Sequence, residues 1–468
     1  PPAAPAPAQG SQMSSGAALS IHGMTAPATV QPGSVRELGE ALARASAERL
    51  GVCIAGGGTK LAWGNPPERF DLLVCTQGLD SPCVVDADDL TMTVGAGVTV
   101  AEARTRARAE GRVLPLDAGE RERATVGGVA ATGDQGARGA GYGRVRDLTL
   151  GLKAVLADGT EVSFGGRTMK NVAGYDMTKL FVGSFGTLGV ITEITFRLLP
   201  RADAEGLLLV PLASLEEGKT LAAKILDSNL QPLALEVISP CSAALVGADL
   251  PSRHADADGG PLLLAGFAGH PAALDRFVAD VSRWSGGDGA GFLEGEDAEA
   301  AMDALAGFSA AAQPVDTDEA PGGGSSGTTR RSEDWVSCRG DGPRLKARAM
   351  VPISEVWALA RMAESLAGPT GLPLEYRIGA ARGILDLWVG SGPDSEEHAG
   401  SLTTWATALR SAAAATGGRL SVTSGLELLP EGFDAWGETG ASLRIMKAIK
   451  ERFDPGRTLN PGRFVGGL

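Results

Sequence analysis

Residues 170–189, KNVAGYDMTKLFVGSFGTLG, run straight into VITEITFRLL at 190–199. A surface loop has no use for so many apolar residues, and a strand interior avoids glycine. Lys170, Asn171, Tyr175, Asp176 and Lys179 nevertheless stand among Gly174, Gly183, Gly186 and Gly189. The mixture implies a backbone brought very close to something, with polar side chains turned inward and a core strand immediately behind.

Upstream of that stretch, DLTLGLKAVLADGTEVSF reads as a hairpin about Asp158-Gly159. Before it, Ala124–Leu148, ATVGGVAATGDQGARGAGYGRVRDL, holds seven glycines mixed with Thr, Val, Tyr, Arg and Asp. Ordering so many glycines is entropically costly unless a ligand or close packing holds them. A third glycine turn, AGGGTK at Ala55–Lys60, follows the apolar run GVCIA. Successive amides without side chains form an anion nest. Two helices flank these elements. One, in GSVRELGEALARA, carries a Ser34/Glu37 capping box with Val35, Leu38, Ala41 and Leu42 on one face. The other, in VTVAEARTRARAEG, carries a Thr99/Glu102 box and a Gly111 stop. No loop is a dinucleotide fingerprint, since GAGVTV lacks the third glycine in register, and none carries the GK[ST] of a P-loop.

The rest of the chain alternates strands such as GLLLVPL and GILDLWVG with helices such as SLEEGKTLAAKILDS and SEEHAGSLTTWATALRSAAAA. A Gly/Ser-rich insertion, 316–334, divides it, and a helix with a Pro/Gly-rich hook ends it. The expected organisation is a disordered lead-in, 1–25; a first domain, 26–200; a second α+β domain, 201–440; and a returning tail, 441–468.

Among the 468 residues, 66 are Gly, roughly twice the usual share. The net charge of −14 argues against nucleic acid as the main partner. No run reaches the ~18 apolar residues of a membrane helix, so no direct span is expected. PPAAPAPAQGSQMSSG has neither the basic start nor the apolar core of a secretory signal. The five cysteines form no CxxC pair, so they read as buried small residues in a reducing, cytoplasmic setting.

The order GGGTK, GAGVTVAEA, ATVGGVAATGDQGARGAGYGRVRDL, KNVAGYDMTKLFVGSFGTLG and finally FDPGRTLNPGRF resembles the vanillyl-alcohol-oxidase/PCMH flavoprotein family. Within it, the chain looks like the smaller FAD-binding subunit of bacterial glycolate oxidase. The resemblance is carried by about 50–200 and the last twenty residues. It implies a two-subdomain FAD-binding domain, a second α+β cap domain and non-covalent FAD. Gly56, Gly57, Gly58 and Thr59 would cradle the pyrophosphate. Thr125, Val126, Gly127, Gly128, Ala131 and Thr132 would line the ribityl and isoalloxazine side. Gly186, Gly189, Val190 and Ile191 would meet the adenine end or the flavin edge. Asn460 and Arg463 would come from the tail, with Lys60 and Tyr142 as further cofactor contacts. Lys170, Asn171, Tyr175 and Asp176 would fix the packing around the cofactor, or form a buried polar cluster joining the subdomains.

Relatives that oxidise a 2-hydroxy acid themselves use histidine-rich motifs for metal or base. Here His22, His254, His270 and His398 are scattered, and no metal site is expected. EYRIGAARGILDLWVG offers Arg377 as a carboxylate clamp, or as an ordinary surface or interface arginine. The implied function is an FAD-binding subunit of a multi-subunit glycolate or D-lactate oxidase, relaying electrons or supporting the catalytic subunit. The alternative is a stand-alone FAD-dependent 2-hydroxy-acid dehydrogenase. The implied partners are a larger catalytic FAD subunit and an iron–sulfur subunit, in the cytoplasm or held peripherally at the inner membrane through them.

Overall fold

A computed structural model describes residues 19–168, 175–240, 242, 246, 259–286, 289–308, 344–390 and 395–468, the side chains of 395–399 excepted. Lys170, Asn171, His254, Cys241, Cys338 and the 316–334 insertion lie outside the described residues.

Among the described residues the N-terminal half holds two larger sheets, besides two-stranded pairings of Ser20–Ile21 with Met24–Thr25 and of Arg112–Val113 with Leu199–Pro200. In the first, the parallel strands Ala28–Val30, Leu72–Cys75 and Val52–Ala55 stand in that order. Helix Val35–Ala47 covers it, burying Leu38, Leu42 and Ala45. The expected cap forms, with Ser34 Oγ accepting from the Glu37 amide. The Glu37 carboxylate accepts from the Gly33 amide, one residue before the expected reciprocal partner. Thr99 likewise caps Val100–Ala109, but the Glu102 carboxylate turns to Arg106. The second sheet is antiparallel, in the order Glu161–Gly165, Thr149–Val155, Val190–Arg197, Thr91–Gly95 and Cys83–Asp86. Its first pair is the Asp158-Gly159 hairpin, with Gly159 at φ +85°. Strand Val190–Arg197 runs through its centre, as the apolar run after the opening stretch requires.

The C-terminal half builds one antiparallel sheet, eight-stranded among the described residues. Its order is Gly291–Glu294, Ala204–Pro211, Leu262–Gly269, Ala234–Ile238, Leu374–Gly379, Ile384–Gly390, Arg344–Met350 and Arg419–Ser424. The segments on either side of the insertion therefore share one sheet. Side chains alternate between its faces. Leu235, Val237, Leu345, Ala347, Tyr376, Ile378, Leu385 and Leu387 enter the core shared with helices Leu215–Leu226, Val356–Ala367 and Ser395–Ala415. Glu236, Lys346, Arg348, Arg377 and Asp386 occupy the alternate positions, and contacts with residues 134–138 set that face against the N-terminal half.

Helix Ser442–Phe453 leads the tail back to the first sheet. Leu459 is fully buried in that sheet's core and bridges Val52. Cys53 and Cys75 are buried in a separate cluster with Ile21, Phe70 and Leu73, and burial pushes the Cys53 thiol up to about 11.

Candidate functional site

Between the two N-terminal sheets lies a cleft at which four separate segments meet: the glycine turn after Val52–Ala55, residues 125–132, the start of strand Val190–Arg197, and the tail. Of the residues expected from the sequence, Gly56, Gly57, Gly58, Thr59, Lys60, Thr125, Gly127, Gly128, Ala131, Thr132, Gly186, Gly189, Val190, Ile191, Asn460 and Arg463 all line it. Val126 is one position away but points into the core. Tyr142 stands apart, beside a separate cavity with Arg104, Arg138 and Glu205, and burial pushes its phenol up to about 12. Ile54, Leu61, Thr76 and Phe185 also line the cleft and carried no signal in the sequence.

Gly56 and Gly57 are glycine because the chain leaves no room for a side chain there, and Gly58 because its φ is +76°. A Cβ on Gly56 would lie 2.1 Å from Thr125 Oγ1, and one on Gly57 would lie 1.6 Å from the Arg123 carbonyl oxygen. The long glycine-rich segment is ordered by buried polar bonds rather than left as a linker. Thr125 caps the short helix Val126–Thr132, and Gly133 ends it at φ +67°. Asp117 then accepts from the Arg138 amide at 2.9 Å and from Arg138 Nη1 at 2.9 Å, and Gln135 Nε2 donates to the Pro115 carbonyl at 2.9 Å.

The tail closes one end. Asn460 Oδ1 accepts from the Ile54 amide at 3.2 Å, and its Nδ2 donates to the Phe185 carbonyl at 2.6 Å, so a single side chain ties two walls together. Phe464 stacks on Phe185 with ring centres 5.5 Å apart, and Trp436 meets Phe185 edge-on at 5.0 Å. Arg463 is buried at 3% exposure and donates through Nη2 to the carbonyls of Leu61 and Trp63, at 2.6 and 2.7 Å. Its Nε has no hydrogen-bond partner, and no carboxylate among the described residues pairs with it. Burial lowers its pKa.

Above the cleft, the charged face of the eight-stranded sheet meets the turn. Lys60 Nζ lies 3.4 Å from Asp134 Oδ2, and Arg348 Nη1 donates to Asp134 Oδ1 at 2.9 Å. Arg348 Nε also donates to Asp386 at 2.6 Å. Burial alone would raise the Asp386 carboxyl, but Arg348 and Arg377 outweigh it and hold the acid well below the usual range. Arg377 is neither a surface residue nor an open clamp. It is 1% exposed, bonds Asp386 Oδ2 from the opposing strand through Nε and Nη2, and gives Nη1 to the Leu305 carbonyl. Arg382 closes the row on Glu236 at 3.3 Å.

The opening stretch departs from expectation at Tyr175, which is 95% exposed. Asp176 caps the next turn, accepting from Thr178, and lies 3.4 Å from Lys179. Neither side chain turns inward toward the cleft.

Residues 26–165 match an FAD binding domain, and residues 202–316 and 349–464 match the C-terminal domain of FAD linked oxidases. The chain is 37% identical to a D-lactate dehydrogenase of Archaeoglobus fulgidus over 207 residues, 44% of this chain and 46% of that protein. It is 36% identical to the glycolate oxidase subunit GlcE of Escherichia coli over 198 residues, 42% of this chain and 55% of that protein. The matched stretch thus spans about half the length of each. An alkyldihydroxyacetonephosphate synthase structure shares the fold, with a TM-score of 0.64 at 17% identity, covering 93% of this chain and 77% of that one.

Proposed function

The chain belongs to the PCMH-type family of FAD-linked oxidoreductases, whose cofactor is FAD, and from that premise we propose that it is an FAD-binding subunit of a multi-subunit 2-hydroxy-acid dehydrogenase of glycolate or D-lactate type. It relays electrons from, or supports, a larger catalytic flavin subunit that works with an iron–sulfur subunit. The names of the two relatives above support the substrate class, and GlcE supports the subunit role.

The residues of the cleft suit the cofactor. A buried guanidinium without a carboxylate is costly unless an anion meets it, and Arg463 is such a group. The pyrophosphate of FAD would supply that anion, which Arg463 and the glycine turn would hold. Asn460 fixes the cleft's width by holding Ile54 and Phe185 at once. When bound, FAD supplies a two-electron acceptor for the hydrogen of a 2-hydroxy acid, or a carrier between partners.

One observation carries the subunit reading. The sheet face over the cleft, where a substrate carboxylate and a base would be sought, is closed by pairs of this chain's own charges: Arg348 and Arg377 on Asp386, and Arg382 on Glu236. A guanidinium whose fork already holds a carboxylate has little left for a substrate. A second reading has its own support in Lys346. This lysine is fully buried, its Nζ lies 4.5 Å from the Trp388 ring centre, and burial lowers its pKa far below the ordinary value. A lysine whose basicity burial depresses is a candidate to take a hydroxyl proton, which would make the chain a dehydrogenase in its own right.

Anaerobic addition of glycolate and of D-lactate to the FAD-loaded chain separates the two. The subunit reading expects a flavin band that stays oxidised alone and bleaches once partner subunits are present. Bleaching by either acid without partners would establish the second reading instead.

A further inference from the structure

The surface around Phe181 carries a charge opposite to that of the whole chain. Phe181 is fully buried, and two half-buried rings flank it, Phe164 at 5.3 Å and Phe453 at 5.6 Å between ring centres. It joins three segments into one face: strand Glu161–Gly165, the turn Thr178–Phe181 and the end of helix Ser442–Phe453. Lys179 donates to the Thr149 carbonyl, which brings the turn Val145–Leu148 onto the same face. The chain as a whole has 42 Lys and Arg against 56 Asp and Glu. On and beside these segments Arg146, Arg167, Arg444, Lys447 and Arg452 are exposed, and among the described residues none of their side chains makes a hydrogen bond or ion pair. The nearby carboxylates of Asp147 and Asp176 are already held by Arg144 and Lys179. Glu451 is exposed between the cations, and Glu161 stands at the far end of its strand.

Two apolar side chains project from this face. Tyr175, just before the Thr178 turn, is 95% exposed, and Ile445 is 60% exposed; no other large apolar side chain among the described residues is exposed as far. Ile445 lies about two turns before Phe453, about 12 Å along the helix. Other apolar residues of that helix face inward, Leu443 against Gly466, and Ile449 and Phe453 against the core. Neither Tyr175 nor Ile445 lines the cofactor cleft.

The make-up of the face says what covers it. A specific protein interface buries about 800 Å² on each side, around a packed apolar centre depleted in charge. Here two separate anchors stand among unpaired cations. An anionic lipid surface matches that arrangement. Each basic side chain near it gains about 1 kcal/mol, and tyrosine and aliphatic side chains enter the headgroup boundary singly. The acidic remainder of the chain does not prevent the approach, because charges farther than about 8 Å are screened at physiological ionic strength. It fixes the orientation, since other faces would be repelled.

We propose that this face rests on anionic phospholipid, with its five cations on the headgroups and Tyr175 and Ile445 as anchors. The chain itself then meets the membrane surface, whatever partners it has.

The test is co-sedimentation of the full chain with vesicles of phosphatidylcholine alone and of an equal mixture with phosphatidylglycerol. Binding to the mixed vesicles, weak binding to phosphatidylcholine and release by added salt are the expected results. Arg444→Gln with Lys447→Gln should lower the partition onto mixed vesicles about thirtyfold, the equivalent of about 1 kcal/mol for each cation. Arg201→Gln with Lys224→Gln removes the same charge at exposed positions elsewhere and should leave binding unchanged. Tyr175→Ser with Ile445→Ser should weaken binding while keeping its salt dependence. All six sites are exposed, so the variants should keep the thermal midpoint of the unaltered chain. Absence of binding to the mixed vesicles overturns the proposal. So does equal binding to both kinds of vesicle, or an equal loss in the two pairs of charge variants. Vesicles ignored by the unaltered chain, with assembly onto partner subunits blocked by Arg444→Gln and Lys447→Gln, would give the face to a protein instead.

Discussion

Gly57 has no space for a side chain, and the obstacle is backbone rather than a flexible side chain. An alanine there would drive the turn off the Arg123 carbonyl, since 1.6 Å is far inside any contact distance. Gly57→Ala should therefore purify with FAD affinity at least about tenfold lower, equivalent to about 1.4 kcal/mol. Flavin content equal to the unaltered chain's would mean that the turn relaxes and is not part of the cradle. Gly57→Asp should do the same, with steric exclusion added to the charge repulsion that an anion nest alone would suggest. Arg463 makes the converse point. Lysine keeps the charge but lacks the planar fork that reaches the Leu61 and Trp63 carbonyls. Arg463→Lys should thus weaken FAD binding while leaving the chain folded, as a fluorescence titration would report.

At the scale of elements, helix Ser442–Phe453 is held to the molecule chiefly by its last turn. Lys450 is the residue of that helix that is fully withdrawn from water. Its Nζ donates to the Thr187 carbonyl at 2.8 Å, to the Leu459 carbonyl at 2.9 Å and to Asp454 Oδ2 at 2.6 Å. Asp454 in turn accepts from the amides of Thr458 and Leu459, which shapes the hook. Lys450→Met strands a buried carboxylate, a loss of about 3–5 kcal/mol. Because the hook delivers Asn460 and Arg463, the helix anchor and cofactor retention should fail together. Limited proteolysis should cut the tail of the variant first and release flavin with it. Retained flavin after such a cut would show that the hook is not needed to hold it.

Across the whole molecule, charge joins the two halves. Arg138 bonds Asp117 on its own side, and Asp303 and the Glu299 carbonyl across the junction, while Arg348 spans from Asp386 to Asp134. The Asp386 carboxyl is a stronger acid folded than its ordinary value of about 3.9. Its stabilisation is therefore complete above about pH 5 and is lost as pH falls through about 4 and below. Asp386→Asn should be destabilised by about 3–5 kcal/mol at neutral pH, since two buried guanidiniums lose the carboxylate charge they share. The gap in thermal midpoint between variant and unaltered chain should narrow between pH 5 and pH 3. A gap that stays constant over that range would mean that Asp386 does not titrate with unfolding.

Local sequence determined the elements: the Ser34 and Thr99 caps, the Asp158-Gly159 hairpin and the apolar strand at 190–197 follow from short-range geometry that needs no distant partner. The glycine turn and the tail residues were legible as cofactor candidates through the resemblance, because a motif keeps its spacing wherever the chain carries it. What the sequence left open is which polar positions meet water. RLKARAM and GILDLWVG alternate like strands with one wet face, yet Lys346, Arg348 and Asp386 are buried beneath the other half of the molecule. Alternation tells which side a residue takes, not what covers that side. For the same reason Tyr175, set among glycines and apolar residues, faces solvent, and Tyr142, inside a glycine-rich loop, lies away from the cleft. Tertiary structure alone brought Lys60, Asp134 and Arg348 together. Buried charges choose partners by distance in space, and that distance is fixed only once the two halves have packed.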